Sequence, residues 1–145
     1  KKVIVIPSKT VPQGITAMLN FNPDGEVEEN EAALTEALAT VDTMQITYAA
    51  RNSDFDGFDI KEGDYLALEE GKLFGTDNTL NVLLEKLAED AKARESSFIS
   101  LYFGEDVTEE DAQQAAEVFQ NICPDAEVVV LTGGQPVYYY IISME

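Results

Sequence analysis

The sequence reads VVVLTGGQPVYYYIIS over residues 128–143, and this stretch indicates how the fold closes. Its first part, Val128–Leu131, is an apolar run typical of a buried strand. Gly133 and Gly134 allow a tight backbone path that a Cβ would block, and Pro136 fixes φ where the next strand begins. A surface turn between two strands needs none of this. The pattern therefore predicts a closing hairpin whose glycine turn contacts something outside the domain.

The residues before this stretch extend it into an alternating pattern. Ser97–Phe103 is a predicted strand, Thr108 is the predicted cap of the helix that follows, and Pro124 ends that helix. The second half thus reads strand, helix, strand, glycine turn, strand. This order predicts an α/β fold in which residues 1–145 form a single domain, with one mixed sheet flanked by helices.

The first half contributes further strands and helices to this fold. Val3–Ile6 is a continuous β-branched run, which predicts a strand buried on both faces, and Thr10 is the predicted cap of the first helix. The acidic run Glu26–Glu31 lies at the predicted start of the second helix, where the macrodipole favours anions. Asn52–Gly57 is a predicted polar loop between strands.

The charge of the chain limits its partners. It carries 28 acidic and 9 basic residues, a formal net charge of −19. Such a charge argues against nucleic acid and against an anionic membrane surface, because both would repel it. A basic protein partner or a cation is compatible with it, although solubility alone is the more common reason for an acidic surface.

The residue types present exclude most catalytic and metal chemistry. The sequence holds one cysteine, Cys123, and no histidine. An internal disulfide, a multi-cysteine metal site and a Ser–His nucleophile pair are therefore excluded. Asn52, Asp54 and Asp56 alternate before Gly57, but the glutamate that a calcium loop needs is not at the required distance. We expect no catalytic residue and no metal site in this domain.

The ends of the chain indicate where the protein acts. No signal peptide or membrane-length apolar run is present, so we expect a cytoplasmic protein without membrane insertion. The chain opens at Lys1, directly before a strand pattern and without an initiator methionine. We therefore expect the sequence to be a fragment of a longer, multidomain chain.

The first loop is a candidate anion-binding site. Ser8, Lys9 and Thr10 follow the predicted strand Val3–Ile6, and ligands of open α/β sheets bind where a strand leads into a helix N-terminus. Lys9 would add a charge and the two hydroxyls would add hydrogen bonds. However, the glycine-rich stretch of a phosphate loop is missing. A capped helix with one exposed lysine is the simpler interpretation.

Two further loops are candidate partner sites. The residues that we expect to contact a partner are Gly133, Gly134, Gln135, Pro136, Tyr138 and Tyr140. In a strand, Tyr138 and Tyr140 would share one face and Tyr139 the other, and tyrosines are enriched at interfaces. The alternative is a closing turn whose tyrosines pack on helices. Gly104–Asp106 would bind a cation or a basic partner, or would simply lead into a capped helix.

Several stretches, taken in order, carry a family resemblance. They are VIPSKTVPQG at 5–14, NPD at 22–24, QITYAAR at 45–51, IKEGD at 60–64, YFGEDV at 102–107 and GGQPVY at 133–138. The chain resembles the C-terminal domain of bacterial DAK-phosphatase or dihydroxyacetone-kinase-like proteins, the catalytic subunits of fatty acid kinase. That domain is similar in fold to a lobe of the DegV-type fatty-acid-binding proteins.

The resemblance implies a division of labour within a longer protein. ATP and magnesium would bind an N-terminal kinase domain that is not part of this sequence, and this domain would hold no cofactor and perform no catalysis itself. Its partners would be a DegV-like fatty-acid-binding protein and the remaining domains of its own chain. A homodimer through the full-length protein stays an open alternative. So does a second function, in which the domain itself binds a fatty acid or another small ligand.

Overall fold

The computed structural model describes residues 2–55 and 57–145, which form four helices and eight strands. The helices are α1 (Val11–Leu19), α2 (Val27–Leu38), α3 (Leu80–Ala93) and α4 (Glu109–Ile122). The strands are β1 (Asp42–Tyr48), β2 (Ser53–Phe55), β3 (Phe58–Ile60), β4 (Tyr65–Glu69), β5 (Lys72–Asp77), β6 (Phe98–Phe103), β7 (Glu127–Thr132) and β8 (Tyr140–Met144).

Six of these strands form one mixed sheet in the order β5-β4-β1-β8-β6-β7. Only β6 and β7 run parallel, joined by α4, and the other neighbours pair antiparallel. A parallel pair needs such a crossover connection, which explains why a helix lies between these two strands. The predicted α/β fold with one mixed sheet flanked by helices is confirmed.

The hydrophobic core lies between one face of the sheet and the helices α3 and α4. Leu83, Leu87, Phe119, Leu101 and Ile142 are fully buried there. Each such side chain contributes about 1.5–3 kcal/mol through burial. Cys123 is also buried, and its Sγ donates to the Ala88 carbonyl oxygen at 3.3 Å.

The opposite face of the sheet is covered at one end by α1. Successive strand residues point to opposite faces, so Thr43 points away from the core that contains Met44. The Thr43 hydroxyl shares a 2.8 Å hydrogen bond with the hydroxyl of Thr10, the cap of α1. This contact fixes α1 at the end of the sheet where β1 begins. The predicted cap at Thr10 is confirmed.

The predicted strand Val3–Ile6 is wrong. These residues form no strand, and Val3 and Val5 are 83% and 79% exposed. Ile6 alone packs against the small apolar cluster that α1 and α2 form around Leu34. A β-branched run favours extended backbone, but these residues pair with no strand of the sheet.

The predicted closing hairpin is also wrong, although the glycine turn exists. β8 does not pair with β7; it lies between β1 and β6 and pairs with both. The strand begins at Tyr140 rather than Val137, because residues 137–139 form a further turn. The predicted loop Asn52–Gly57 is replaced by a small hairpin, β2 with β3, and Asp56 lies outside the described residues.

Candidate functional site

The candidate site lies at the carboxyl edge of the parallel pair β6 and β7. We use this name, the carboxyl edge, for the loop Gly104–Val107, the turn Gly133–Tyr139 and the first residue of β8. Ligands of α/β sheets usually bind at this edge, because helices begin there and loops converge there. Both partner-site candidates from the sequence, the glycine turn and Gly104–Asp106, lie in this one place.

Backbone hydrogen bonds join the two loops of the carboxyl edge. The N–H of Gly104 donates to the Tyr139 carbonyl at 2.9 Å, and the N–H of Glu105 donates to the Gln135 carbonyl at 3.1 Å. A Cβ on Gly104 would collide with the carbonyl oxygen of Tyr138. Gly104 is therefore required by the close approach of the two backbones.

The side-chain amide of Gln135 holds the glycine turn in place through hydrogen bonds. Its Nε2 donates to the carbonyl of Tyr102 at 2.9 Å and to that of Tyr138 at 3.3 Å. A Cβ on Gly133 would collide with Oε1 of the same side chain, so the glycine makes room for the amide. The amide nitrogen of Gln135 thus donates both of its hydrogen bonds within the domain and has none left for a partner. By contrast, Gly133, Gly134 and Pro136 are exposed.

The tip of the turn is Val137, a residue that the sequence placed inside a strand. Its φ is +71°, a conformation that a β-branched residue rarely adopts, and its side chain is 59% exposed. The Tyr138 N–H donates to the Pro136 carbonyl at 2.8 Å, which closes a three-residue turn around Val137. Thr47 of β1 donates its hydroxyl to the Val137 carbonyl at 3.0 Å and holds this strained tip in place.

The tyrosines after the turn do not alternate as a strand would place them. Tyr139 and Tyr140 both line one cavity, because the chain enters β8 only at Tyr140. Tyr140 is almost fully buried, and burial together with the nearby Asp111 charge raises the pKa of its hydroxyl to about 12. Tyr138 is half-buried.

The residues Ser8, Lys9 and Thr10 lie at the other end of the sheet. The Lys9 N–H donates to Oε1 of Gln13 at 2.9 Å, and the Gln13 N–H donates to the Thr10 hydroxyl at 3.3 Å. Pro12, at the first turn of α1, has no N–H to offer. The Thr10 hydroxyl and the Lys9 N–H are thus engaged at the start of α1, as in a capped helix, and the anion site stays a prediction.

Neither a metal cluster nor a membrane-spanning helix occurs within residues 2–55 and 57–145. No group of three or more acidic or cysteine side chains is gathered there in a way that would hold an ion. None of the helices in those ranges combines the length and the apolar character that a membrane span requires.

The fold and this edge define the class of protein. The structure is similar to the DegV family protein Cg2579 of Corynebacterium glutamicum, with a TM-score of 0.71, 15% identity, and coverage of 97% of this chain and 63% of that one. It is also similar to fatty acid kinase B3 of Streptococcus pneumoniae, a structure loaded with linoleic acid. That match has a TM-score of 0.55, 13% identity, and coverage of 83% and 50% of the two chains. The domain therefore has a DegV-like fold.

The particular family is shown by sequence. The chain belongs to the FakA-like family of fatty acid kinase C-terminal domains, whose sequence model matches residues 1–145. It is 37% identical to protein YloV of Bacillus subtilis over 145 residues, all of this chain and 26% of that protein. It is 31% identical over 142 residues to protein SH1689 of Staphylococcus haemolyticus, which is 98% of this chain and 26% of that protein. The chain thus spans about a quarter of these relatives, and the resemblance expected from the sequence is confirmed.

Proposed function

We propose that this domain recruits or orients a DegV-like acyl-binding partner, so that a fatty-acid carboxylate meets ATP on another domain of the full-length protein. Membership of the fatty acid kinase family supports the link to fatty acid phosphorylation. The structurally similar fatty acid kinase B3, which is loaded with linoleic acid, supports a DegV-like protein as the acyl carrier. A domain without catalytic side chains contributes by positioning, which raises the effective concentration of the reacting groups. The product of the complete system would be an acyl phosphate.

The observation that carries this proposal is the shape of the carboxyl edge. Gly133, Gly134, Pro136 and Val137 are exposed on a turn that is braced from behind by Gln135 and Thr47. A rigid, protruding turn with an apolar tip loses little conformational entropy when it docks. Internal hydrogen bonds already engage the Pro136 and Val137 carbonyls, while the Val137 side chain stays exposed and available to a partner.

The packing of the interior favours docking over the alternative of acyl binding. The space between the sheet and the helices α3 and α4 is filled by fully buried side chains, among them Leu83, Leu87 and Phe119. An acyl chain would have to displace these side chains, each at a cost of about 2–5 kcal/mol if its packing were lost. In this domain, the space between the sheet and these two helices is occupied by its own core.

A shallower apolar cavity keeps the alternative testable. A space of about 350 Å³ lies between the first residues of the chain and α2, beside Ile4, Ile6, Phe21 and Leu34. This volume is at the lower limit for ligand sites. Solvent extraction and mass spectrometry of the purified domain would reveal a fatty acid bound at equimolar amount if the alternative were right. We expect none.

The proposal is tested by titration calorimetry of this chain against a DegV-family acyl-binding protein, loaded and empty. Val137→Asn removes the apolar tip while keeping a residue that tolerates positive φ. We expect it to weaken binding by about tenfold, because a well-packed apolar anchor commonly contributes more than 1 kcal/mol. The matched control is Val82→Asn on α3, an exposed valine that is not part of the carboxyl edge.

Two results would contradict the proposal. The first is no binding of the unmodified domain to either form of the partner at micromolar concentrations. The second is equal binding by the Val137 and Val82 variants, which would remove the glycine turn as the docking element. Gln135→Ala is a poor test by comparison, since it breaks the internal bonds to Tyr102 and Tyr138.

A further inference from the structure

A cavity of about 220 Å³ opens at the carboxyl edge, on the side of the sheet that α3 and α4 cover. Its most deeply buried lining residue is Tyr140, which is 1% exposed, and the half-buried Tyr65 and Tyr139 line it further out. Two exposed carboxylates complete it, Asp106 from the loop after β6 and Asp111 from the first turn of α4. We call this set of five residues the tyrosine cavity.

The hydroxyl of Tyr140 is the group that points to a ligand. Its side chain is almost wholly buried and lines the cavity, yet no hydrogen-bond partner for this hydroxyl is found among the described residues. Within the same ranges, the hydroxyls of Tyr65 and Tyr139 also lack a protein partner. Among the described residues, the Tyr140 hydroxyl is not one of the fully buried unpaired atoms, so it faces the cavity and not the core. A polar group that entered the cavity would meet an unengaged hydroxyl there.

The charges around the tyrosine cavity favour a cation. Its described lining contains two carboxylates and no basic side chain. The N-terminus of α4, which would attract an anion, is already capped, because the Asp111 N–H donates to the Thr108 hydroxyl at 3.1 Å. Burial, the neighbouring Tyr65 and the charge of Asp106 raise the pKa of Tyr139, so its hydroxyl stays neutral at physiological pH.

The tyrosine rings suit a planar cation better than a spherical one. The ring centroid of Tyr139 lies 5.6 Å from that of Tyr65 and 5.9 Å from that of Tyr48, at tilted angles. A guanidinium group stacks on such rings and also donates in a fork to carboxylates, whereas an ammonium is more strongly hydrated. The combination of ring faces and carboxylate oxygens therefore matches an arginine side chain.

We propose that the tyrosine cavity receives the guanidinium group of an arginine side chain that the acyl-carrying partner presents. This inference rests on the proposed function and names the chemistry by which the partner is recognised. The net charge of −19 is consistent with it, because an acidic domain favours a partner with a basic patch. Docking would then combine an apolar contact at Val137 with a charged contact in the cavity.

The first experiment uses small probes on this chain, with its six tyrosines carrying isotope-labelled rings for NMR. We expect N-acetyl-arginine methylamide to shift the ring signals of Tyr65, Tyr139 and Tyr140, and the neutral citrulline analogue to leave them in place. Tyr102 is an internal control, since its backbone lies in β6 and its ring does not line the cavity. Equal shifts with citrulline, no shift with arginine, or tighter binding of the lysine analogue would overturn the guanidinium site.

Variants of the exposed carboxylates identify the site and leave the core intact. Asp111 accepts a 2.7 Å hydrogen bond from the Thr108 hydroxyl, and asparagine keeps an oxygen that can accept it. We expect Asp106→Asn with Asp111→Asn to weaken binding of the arginine probe by about tenfold, as for loss of a charged partner. Asp125→Asn, an exposed carboxylate between α4 and β7, is the matched control and should bind normally. An unchanged affinity in the double variant would exclude the tyrosine cavity as the binding place.

The second experiment repeats the calorimetry with the DegV-family partner and separates this inference from the proposed function. Weaker partner binding by the Asp106 and Asp111 double variant, with the Asp125 variant unaffected, would support both. Full partner binding by the double variant would overturn the inference and leave the proposed function standing. If the arginine probe binds but the partner does not, the proposed function is overturned. The claim that the partner supplies the arginine is then overturned as well.

Discussion

At the scale of single residues, Val137 is the clearest case of local strain. It holds φ at +71° although its Cβ is branched, and it does so because its neighbours are fixed by the Tyr138–Pro136 and Thr47–Val137 hydrogen bonds. Such conformations cost about 1–3 kcal/mol and persist where the surrounding structure over-determines them. The domain therefore maintains the exposed tip of the glycine turn at a cost to its own stability.

The strain predicts an unusual order of stabilities at this position. We expect Val137→Gly to be more stable than Val137→Ala by about 1 kcal/mol, because only glycine adopts positive φ without steric cost. In an ordinary helix or strand the order is reversed. Urea unfolding of both variants measures the difference, and an alanine variant as stable as the glycine variant would show that Val137 is not strained.

The sequence predicts part of this site and misses the rest for a definable reason. Gly133, Gly134 and Pro136 predict the turn, and Thr108 predicts the start of a helix, because these residue types have strong local preferences. The roles of Gln135 and Val137 depend on which carbonyls and hydroxyls lie nearby in the fold. Tyr65 joins Tyr139 only because β4 and β8 both flank β1, which no local pattern contains.

At the scale of elements, Arg94 ties three parts of the structure together at the end of α3. Its guanidinium contacts Asp42 of β1 at 3.0 Å and Glu69 of β4 at 2.6 Å. Its Nε lies 2.7 Å from Asp90 Oδ2, which is off line for a hydrogen bond, so that contact is electrostatic. Partial burial acts to lower the pKa of Arg94, but the hydrogen bonds with Glu69 and Asp42 outweigh this effect, so the pKa is raised.

This network predicts that the shape of the cation matters, as well as its charge. We expect Arg94→Lys to lower the free energy of unfolding by about 1 kcal/mol, because an ammonium cannot contact three carboxylates in a fork. The measurement is urea unfolding, and Lys86→Arg is the control, since Lys86 contacts Asp77 alone at 3.1 Å among the ion pairs of the described residues. A lysine variant as stable as the unmodified chain would mean that solvent screening leaves the network without effect.

The failed prediction of a first strand also belongs to this scale. Four β-branched residues in a row predict a buried strand, and the prediction is sound as a statement of local preference. Whether the segment joins a sheet depends on a free edge at the right place, and the edge strands here are β5 and β7. By contrast, the apolar faces of α3 and α4 follow from helical spacing alone, because a helix face needs no such partner edge.

At the scale of the whole molecule, the acidic surface predicts how fast the domain meets its partner. Glu28 and Glu31 are exposed on α2, whereas Glu29 accepts the Glu26 N–H at 3.3 Å as part of the helix cap. The charge is therefore tested at Glu28, which also pairs with Lys2 at 2.7 Å, and at Glu31, and these changes leave the capping box of α2 in place.

We expect Glu28→Gln with Glu31→Gln to slow association with the DegV-like partner and to reduce its dependence on salt, because electrostatic steering acts on the on-rate. Stopped-flow mixing at several salt concentrations measures both quantities. Glu117→Gln with Glu127→Gln removes the same charge from α4 and β7 as a control. An on-rate that falls equally in both pairs would indicate net charge rather than a directed patch, and an unchanged on-rate would remove steering altogether.

The position of β8 has a consequence for how the protein is made. This strand lies inside the sheet, yet it leaves the ribosome long after β1, its neighbour on one side, has been synthesised. Until it emerges, β1 and β6 each present an unpaired edge, and nascent chains with such edges are prone to associate with one another. Assembly therefore waits for a distant segment, which slows folding through the length of loop that must close. A translation pause before β8 would lengthen the time during which the nascent chain depends on chaperones.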